Sequence, residues 1–239
     1  MFRRIRKLVF ITVILTIATP VAAGERVTVV ELFTSQGCSA CPPADALLRD
    51  LVKRPDLLPL SEHVDYWDYL GWRDPFARAE LTQRQRAYAR RLGLSYVYTP
   101  QFIVQGVAQA VERDRASVLR LIADVQTLPE AVVLDIVRSD DGTLVARLER
   151  TTLPSAADIW LVQYDPARVT LVAQGENVGR SIENVNVVRQ LTLLAQWTGE
   201  PKSVPLLGDP PIDGSFAVLV QQSDAGPILG AARFQVPAR

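Results

Sequence analysis

The first half of the chain alternates between stretches with strand-like and helix-like hydrophobic patterns. Runs rich in β-branched and aromatic residues predict strands, whereas apolar residues repeated every three or four positions predict helices. The predicted strands are Val27–Phe33, a segment within Pro59–Trp67, Thr99–Val104 and Val107–Val111. The predicted helices are Ala44–Lys53, Pro75–Leu92 and Arg113–Val125. This β-α-β-α-β-β-α order predicts an α/β domain with a mixed sheet flanked by helices.

After Pro129 the helical periodicity stops and short β-rich stretches follow one another. The turn Asp140-Asp141-Gly142, between the first two of these stretches, is a hairpin signal. The series predicts an antiparallel β-rich domain that is sandwich-like, or a small barrel. Its predicted strands are Val132–Arg138, Leu144–Glu149, Asp158–Tyr164, Val169–Ala173, Val187–Trp197, Phe216–Gln222 and Ile228–Val236. We therefore expect an α/β domain at residues 24–128 and a β-rich domain at residues 129–239.

The N-terminal residues have the pattern of a secretory signal peptide. A basic region from Arg3 to Lys7 precedes the apolar stretch Leu8–Ala18, and small residues lead up to Ala23. The apolar stretch is roughly half of the ~20 residues that a spanning helix needs, which disfavours an N-terminal membrane anchor. We expect a signal peptide at residues 1–23 and a mature protein without a stable membrane anchor. The expected location is the periplasm of a Gram-negative bacterium, or secretion.

The two cysteines of the chain, Cys38 and Cys41, lie in the stretch TSQGCSACPPAD, between the first strand and the first helix. Their spacing fits a redox couple, half of a metal site or a structural disulfide. A disulfide across so short a loop removes little entropy from the unfolded chain and stabilises little, which favours exchange chemistry. A helix N-terminus stabilises a thiolate, so Cys38 is the expected attacking thiol and Cys41 the resolving one. Because Pro42 follows Cys41, we expect Cys41 just before the regular helix.

A metal site is the main chemical alternative. His63 is the single histidine of the chain, and with Cys38 and Cys41 it would give three copper or zinc ligands. A closed zinc site has about four ligands, so Asp65 or Asp68 would have to contribute. A structural histidine is the competing interpretation.

The order of these motifs resembles that of thioredoxin. The resemblance rests on Glu31, on Cys38-Ser39-Ala40-Cys41 and on Thr99-Pro100, and it covers residues 27–126. It implies that Pro100 is cis and faces the dithiol, and that the Thr99 backbone pairs with an extended substrate. It also implies that Glu31 is a buried acid that relays a proton to Cys41. Glu31 lies one residue further from the first cysteine than in typical thioredoxins, so pairing with a nearby base is the alternative.

A narrower resemblance covers most of the mature chain. The stretches ELFTSQGCSACPPAD, HVDYWDYLGWRDPFA, YTPQFIVQG and GENVGRSIENVNVVRQL are similar to a bacterial secreted family known as domain of unknown function 1223. This resemblance implies a thioredoxin-like fold with a β-rich C-terminal part. It implies no particular substrate.

Together these features predict a thiol–disulfide oxidoreductase that uses no cofactor and acts on protein or peptide thiols and disulfides. A formal net charge of zero gives no reason to expect a nucleic-acid partner. The aromatic residues Tyr66, Trp67 and Trp72 are expected to form a substrate rim, with core packing as the alternative. The stretch GENVGRSIENVN is either a loop that packs on the thioredoxin-like part or a plain connection. A binding module that kept the fold but not the chemistry is the remaining functional alternative.

Overall fold

A computed structural model describes residues 27–110, 114–129, 131–206 and 215–234 of the chain. The predicted signal peptide lies outside these residues, and so do Val111, Arg113 and Val236 at the ends of predicted elements. The signal peptide and the domain boundary at residue 128 stay predictions. None of the helices within the described ranges is long and apolar enough to cross a membrane.

The N-terminal half has the predicted β-α-β-α-β-β-α order. Its strands are β1 (Thr28–Thr34), β2 (Leu57–His63), β3 (Gln101–Val104) and β4 (Ala108–Ala110). Its helices are α1 (Pro42–Leu51), α2 (Ala79–Arg91) and α3 (Arg115–Gln126). A short 3-10 turn at Asp68–Leu70 separates β2 from α2. All seven residues of β1 and of β2 are buried, as expected for central strands with both faces covered.

The helix starts differ from the sequence prediction, and α3 begins at Arg115, with Asp114 as its N-cap. Helix α1 begins at Pro42, because prolines at the first two helical positions lack only N–H groups that have no helical partner. Helix α2 begins at Ala79 rather than at Pro75. The residues before it form a turn around Asp74, whose carboxylate accepts a hydrogen bond from the Phe76 N–H at 2.9 Å. A local side-chain acceptor therefore competes with the helix at this point.

The C-terminal strands differ from the prediction in length and number. Two predicted strands are parts of one long strand, β7 (Ala157–Leu171), and its partner β8 begins six residues before the predicted start, at Ser181. The strand β9 (Lys202–Pro205) was not predicted. The other strands are β5 (Leu134–Arg138), β6 (Leu144–Leu148), β8 (Ser181–Trp197), β10 (Ser215–Gln222) and β11 (Ile228–Phe234). Long, twisted hairpin arms explain why exposed polar residues interrupt the pattern of β7 and β8.

The strands form one large mixed sheet and one small antiparallel sheet. The large sheet has eight strands in the order β11-β10-β7-β8-β2-β1-β3-β4, and the small one has the order β5-β6-β9. Strand β2 is parallel to β1 and to β8, and every other neighbouring pair is antiparallel. A wholly separate β-rich sheet was expected for the C-terminal half. Instead, four of its strands extend the N-terminal sheet through the contact of β8 with β2.

Helices and the small sheet cover the two faces of the large sheet. Helices α1 and α3 bury Leu47, Leu48 and Ile122 against Val30 and Leu32 of β1. Helix α2 lies on the opposite face, over residues of β1 and β2 and close to β10 and β11. The small sheet packs on the face of β7 and β10 turned away from α2, around Trp197. This stacking is the sandwich-like part of the prediction.

Candidate functional site

Cys38 and Cys41 are joined by a disulfide at the N-terminus of α1. Strand β1 ends at Thr34, and a tight turn leads to Cys38, whose N–H donates to the Ser35 carbonyl at 3.1 Å. Gly37 lets this turn approach the next loop, because a Cβ there would lie 3.1 Å from Trp67 Cβ. Cys41 is the residue that precedes α1, as predicted, although it adopts a helical conformation in front of Pro42. The proline therefore restricts this residue without excluding it from the α region.

Both cysteines are buried, and a loop of the C-terminal half packs on the turn that carries them. Cys38 is 1% exposed and Cys41 0%. The covering loop, residues 172–180, joins β7 to β8. Its Asn177 Nδ2 donates to the carbonyl oxygens of Gln36 and Cys38, both at 2.9 Å. The sequence stretch GENVGRSIENVN therefore packs on the cysteine turn, as one of its two interpretations expected.

The peptide bond Thr99–Pro100 is cis, as the thioredoxin resemblance implies. The Sγ atom of Cys38 lies 3.9 Å from the Thr99 carbonyl oxygen. The Thr99 hydroxyl accepts a hydrogen bond from Trp67 Nε1 at 2.7 Å. The predicted residues Cys38, Thr99 and Pro100 thus meet at one place, and Trp67 helps to hold them.

Asp45 is a buried acid one helical turn after Cys41. Its N–H group donates a hydrogen bond to the Cys41 carbonyl at 3.1 Å. Asp45 is 3% exposed and accepts a hydrogen bond from the Thr34 hydroxyl at 2.9 Å. Burial raises the pKa of Asp45 to about 6, and the charge of His63 and the Thr34 hydrogen bond only partly oppose it. Sequence reasoning missed this residue, although an acid on the apolar side of an amphipathic helix is a visible signal.

His63 lies beneath the same turn and holds a second acid, Asp74. Its Nδ1 is 2.7 Å from Asp74 Oδ2, and its Nε2 is 3.1 Å from the Ser61 hydroxyl. Burial acts to lower the pKa of His63, but the carboxylates of Asp74 and Asp45 outweigh it and raise the pKa. Burial acts to raise the pKa of Asp74, but the His63 charge and hydrogen bonds hold it below its ordinary value. Asp74 Oδ2 also accepts the Gln36 N–H at 2.8 Å, so the pair braces the cysteine turn.

The Ser61, His63 and Asp74 hydrogen bonds repeat the chain of a nucleophilic triad, but the setting does not suit one. Ser61 is 1% exposed and His63 0% exposed, so an acyl substrate has no access to the serine. Within the described ranges, no group of three or more His, Cys, Asp and Glu side chains converges to hold a metal ion. Because both His63 nitrogens have protein partners, the structure does not bring His63 to the cysteines as a ligand. It serves the structural role that was the competing interpretation.

Glu31 faces the side of the sheet opposite to the cysteines. Side chains alternate along a strand, so Val30 and Leu32 of β1 face α1 while Glu31 faces α2. There its carboxylate accepts hydrogen bonds from Arg84 Nε and from the Tyr88 hydroxyl, both at 2.6 Å. The alternative of pairing with a nearby base therefore describes Glu31.

The predicted aromatic rim points inward. Tyr66 donates its hydroxyl to Gln85 Oε1 at 3.1 Å, and burial raises the pKa of Tyr66 to about 12. Trp72 Nε1 donates to Gln36 Oε1 at 3.2 Å. These rings, like Trp67, are half-buried and brace the site from below rather than forming an exposed platform.

An open cleft lies on the other side of Pro100. It has a volume of about 510 Å³ and is lined by the loop after α2 and by the cis-proline turn. Tyr96 is 72% exposed at this cleft, and its ring lies 6.0 Å from that of Tyr98. Sequence analysis did not single out these tyrosines, because the SYVYTP stretch lacks a hydrophobic period.

Solved structures with a similar overall fold come from two bacteria. A crystal structure of a protein from Agrobacterium tumefaciens is 30% identical in sequence, with a TM-score of 0.74, over 91% of this chain and 100% of that chain. HBP35 of Porphyromonas gingivalis is 12% identical, with a TM-score of 0.59, over 90% of this chain and 80% of that chain. The second likeness is one of fold alone. No match is found among curated proteins.

The family model described as protein of unknown function (DUF1223) matches residues 29–221. The matched range contains the disulfide, the cis-proline turn and the covering loop. It confirms the family that the four sequence stretches resemble. The chain therefore belongs to the DUF1223 family, with a disulfide-bonded Cys-Ser-Ala-Cys pair at the start of its first helix.

Proposed function

We propose that this protein is a thiol–disulfide oxidoreductase whose thioredoxin-like N-terminal half works through Cys38 and Cys41. The observation that carries the proposal is the position of Cys38. Its sulfur lies 3.9 Å from the carbonyl oxygen of Thr99, which precedes the cis-proline. A carbonyl beside the reactive sulfur is a hydrogen-bond acceptor for the backbone of an extended peptide. The cleft on the far side of Pro100 offers room for such a segment.

The arrangement of strands supports the thioredoxin-like assignment. The strand that leads into the cysteines, β1, is central, parallel to β2 and antiparallel to β3. The strand β3 follows the cis-proline directly and pairs with β4. This is the order that the resemblance implies for residues 27–126.

The start of α1 supplies part of the electrostatic environment of the thiol. The positive end of the helix dipole favours the Cys38 thiolate once the disulfide is reduced. Pro42 and Pro43 carry no N–H, however, and the Ala44 and Asp45 N–H groups donate to the Cys41 carbonyl at 2.9 and 3.1 Å. The first turn of the helix therefore has no free N–H group to donate to the thiolate.

The proposed reaction has two displacement steps. The Cys38 thiolate attacks one sulfur of a substrate disulfide, which forms a mixed disulfide and releases the other substrate sulfur as a thiolate. Cys41 then gives its proton to Asp45 and attacks the Cys38 sulfur. The second substrate thiolate leaves, and Cys38 and Cys41 end as the disulfide. Two electrons pass from the couple to the substrate. A partner dithiol with a lower reduction potential then reduces the Cys38–Cys41 disulfide again.

The first test is the redox equilibrium of the mature protein with glutathione, trapped by alkylation. A potential between roughly −120 and −270 mV would place the couple among exchanging proteins. A potential below about −300 mV would mark a persistent disulfide and refute the proposal.

Two matched substitutions test the roles of the sulfurs. Cys41→Ser should accumulate mixed disulfides, because the resolving thiol is missing. Cys38→Ser should form none and leave the fold intact. Equal yields of mixed disulfide in the two variants would contradict the assigned roles.

The burial of the couple favours one second candidate, a binding module with an inert disulfide. Both sulfurs belong to residues at most 1% exposed, and the covering loop hydrogen-bonds to their turn. The potential measured against glutathione separates the two candidates directly.

We also propose that the protein acts outside the cytoplasm, in the periplasm or after secretion. The support is the N-terminal sequence pattern, together with a disulfide that would persist in an oxidising compartment. The partners we propose are protein or peptide thiols and disulfides. N-terminal sequencing of the protein purified from the periplasm should show cleavage after Ala23. An unprocessed N-terminus would refute the signal peptide.

A further inference from the structure

The covering loop is a built part of the site and not a loose connection. The long strands β7 and β8 form a hairpin, and the Val172 N–H closes its tip by donating to the Arg180 carbonyl at 3.0 Å. Gly175 lets the tip pack closely against Trp72, since a Cβ there would lie 3.2 Å from Trp72 Cβ. The hairpin is also tied just beyond the loop, where Gln36 Nε2 donates to Asn184 Oδ1 at 2.9 Å. The tip therefore holds a defined position over the cysteines.

Asn177 is bound to the backbone of the turn that carries Cys38. Its amide group donates to the carbonyl oxygens of Cys38 and Gln36, and the residue is 1% exposed. Its own Oδ1 is buried without a hydrogen-bond partner among the described residues. A partner that reaches Cys38 must displace this side chain, and it can replace both hydrogen bonds with donors of its own.

Glu176 places a negative charge beside the couple. Its Oε2 accepts a hydrogen bond from the Ser39 N–H at 3.2 Å, and Ser39 is the exposed residue between the cysteines. A thiolate that attacks Cys38 therefore approaches close to this carboxylate. At a separation of about 6 Å in water, one unit charge changes the local concentration of a singly charged reagent by about threefold.

We propose that Asn177 and Glu176 determine which thiols react with the Cys38–Cys41 couple. Asn177 excludes reagents that cannot displace it, and Glu176 favours cationic thiols and peptides over anionic ones. The proposal rests on the exchange function proposed above. In the reaction, a thiolate attacks Cys38 Sγ, the bond to Cys41 breaks, and Cys41 leaves as a thiolate that takes up a proton. A second thiolate then attacks the reagent sulfur of the mixed disulfide, and Cys38 leaves as a thiolate, so two thiols are oxidised to a disulfide as the couple is reduced.

The charge preference is tested with three small thiols on the oxidised full-length mature protein. Cysteamine carries a positive charge, 2-mercaptoethanol none, and 2-mercaptoethanesulfonate a negative one. Reduction rates are compared at equal thiolate concentration and low ionic strength, where screening is weak. Glu176→Gln should lower the ratio of the cysteamine rate to the sulfonate rate by about five- to tenfold relative to the parent protein. Intrinsic differences between the reagents cancel in this comparison.

The matched control is Glu183→Gln. Glu183 lies on β8, shortly after the covering loop. Its carboxylate faces Arg49 on the last turn of α1. The substitution removes the same charge from the same hairpin and should leave the rate ratio unchanged. Equal ratios in the Glu176→Gln and Glu183→Gln variants would overturn the charge preference.

The exclusion is tested by Asn177→Ala, with Asn177→Ser as a second variant should the first fail to fold. Each lost hydrogen bond is worth about a fivefold change in an equilibrium. The variant should therefore be reduced at least about fivefold faster by all three reagents alike. Unchanged rates would overturn the exclusion. If dithiothreitol cannot reduce even the Asn177→Ala protein, the exchange function itself fails, which is a different outcome from equal rates.

Discussion

Replacing Asp45 with asparagine should change how the stability of the protein depends on pH. Asp45 is 3% exposed, and its carboxyl group accepts a hydrogen bond from the Thr34 hydroxyl. Asparagine has nearly the same shape and keeps an oxygen that can accept this bond. The substitution therefore removes the titration of the group with little change in packing.

The sign of the effect follows from the raised pKa of Asp45. Its pKa is about 6 in the folded protein, against an ordinary value of 3.8. Between these values the folded protein holds a proton that the unfolded chain has lost, so the free energy of unfolding falls as the pH rises. Two pKa units, at about 1.4 kcal/mol each, give a loss of about 3 kcal/mol. The variant has no such loss, so its stability relative to the parent should rise by about 3 kcal/mol across this window.

Urea unfolding of both proteins with the disulfide intact, at several pH values from 3.5 to 6.5, measures this difference. The range ends at 6.5 because, above this ordinary pKa, the unfolded chain loses its histidine proton while folded His63 keeps it, which adds a second pH dependence of stability. Asp50→Asn is the control, since Asp50 lies on the same helix and Arg115 holds its pKa below the ordinary value. Its difference curve should be flat over most of this range and slope the other way only toward the acid end. A flat curve for Asp45→Asn would refute the assignment of a buried acid with a raised pKa at this position.

Four further substitutions test individual residues of the structure. Burial and the neighbouring Glu31 raise the pKa of Glu62 well above 4.5, so the unfolding free energy of the parent should fall as the pH rises from 4.5. Glu62→Gln should remove that fall in urea titrations, and an undiminished fall would contradict the assignment. Trp67→Phe and Thr99→Val should each lower the free energy of unfolding by about 1 kcal/mol. The double variant should lose no more than either single variant, because all three proteins lack the same hydrogen bond between Trp67 and Thr99. Gly37→Ala should lower Tm in calorimetry, because its Cβ would lie 3.1 Å from Trp67 Cβ; an unchanged Tm would show that Trp67 has room to move.

The features that the sequence predicts correctly depend on neighbouring residues. The strand-turn-helix around Cys38 follows from hydrophobic period and proline position, both of which are local signals. The cis-proline at Thr99–Pro100 came from the order of motifs, since a cis bond leaves no local pattern. Strand alternation already indicated that Glu31 could face away from the cysteines. Counting along β1 from a residue whose face is known would have decided on which face of the sheet Glu31 lies.

The features that it misses depend on residues far apart in the chain. Asp74 joins the site only because a loop folds back to place it on His63 and on the Gln36 N–H. A hydrophobic pattern does not report which distant polar groups converge. The continuation of one sheet from β2 into β8 is missed for the same reason, since β8 reads equally well as part of a separate antiparallel sheet.

The polar character of the stretch SIENVN has its explanation in that junction. Asn186 Nδ2 donates to the Pro59 carbonyl at 2.7 Å, where the proline has no N–H to offer the neighbouring strand. Two residues earlier, Asn184 accepts a hydrogen bond from the Gln36 side chain next to the cysteines. A shift of β8 by one residue would turn both asparagines to the wrong face, so they fix the register of β8 against β2. The same register carries the covering loop to the start of α1, which is why the β-rich half of the chain belongs to the candidate site.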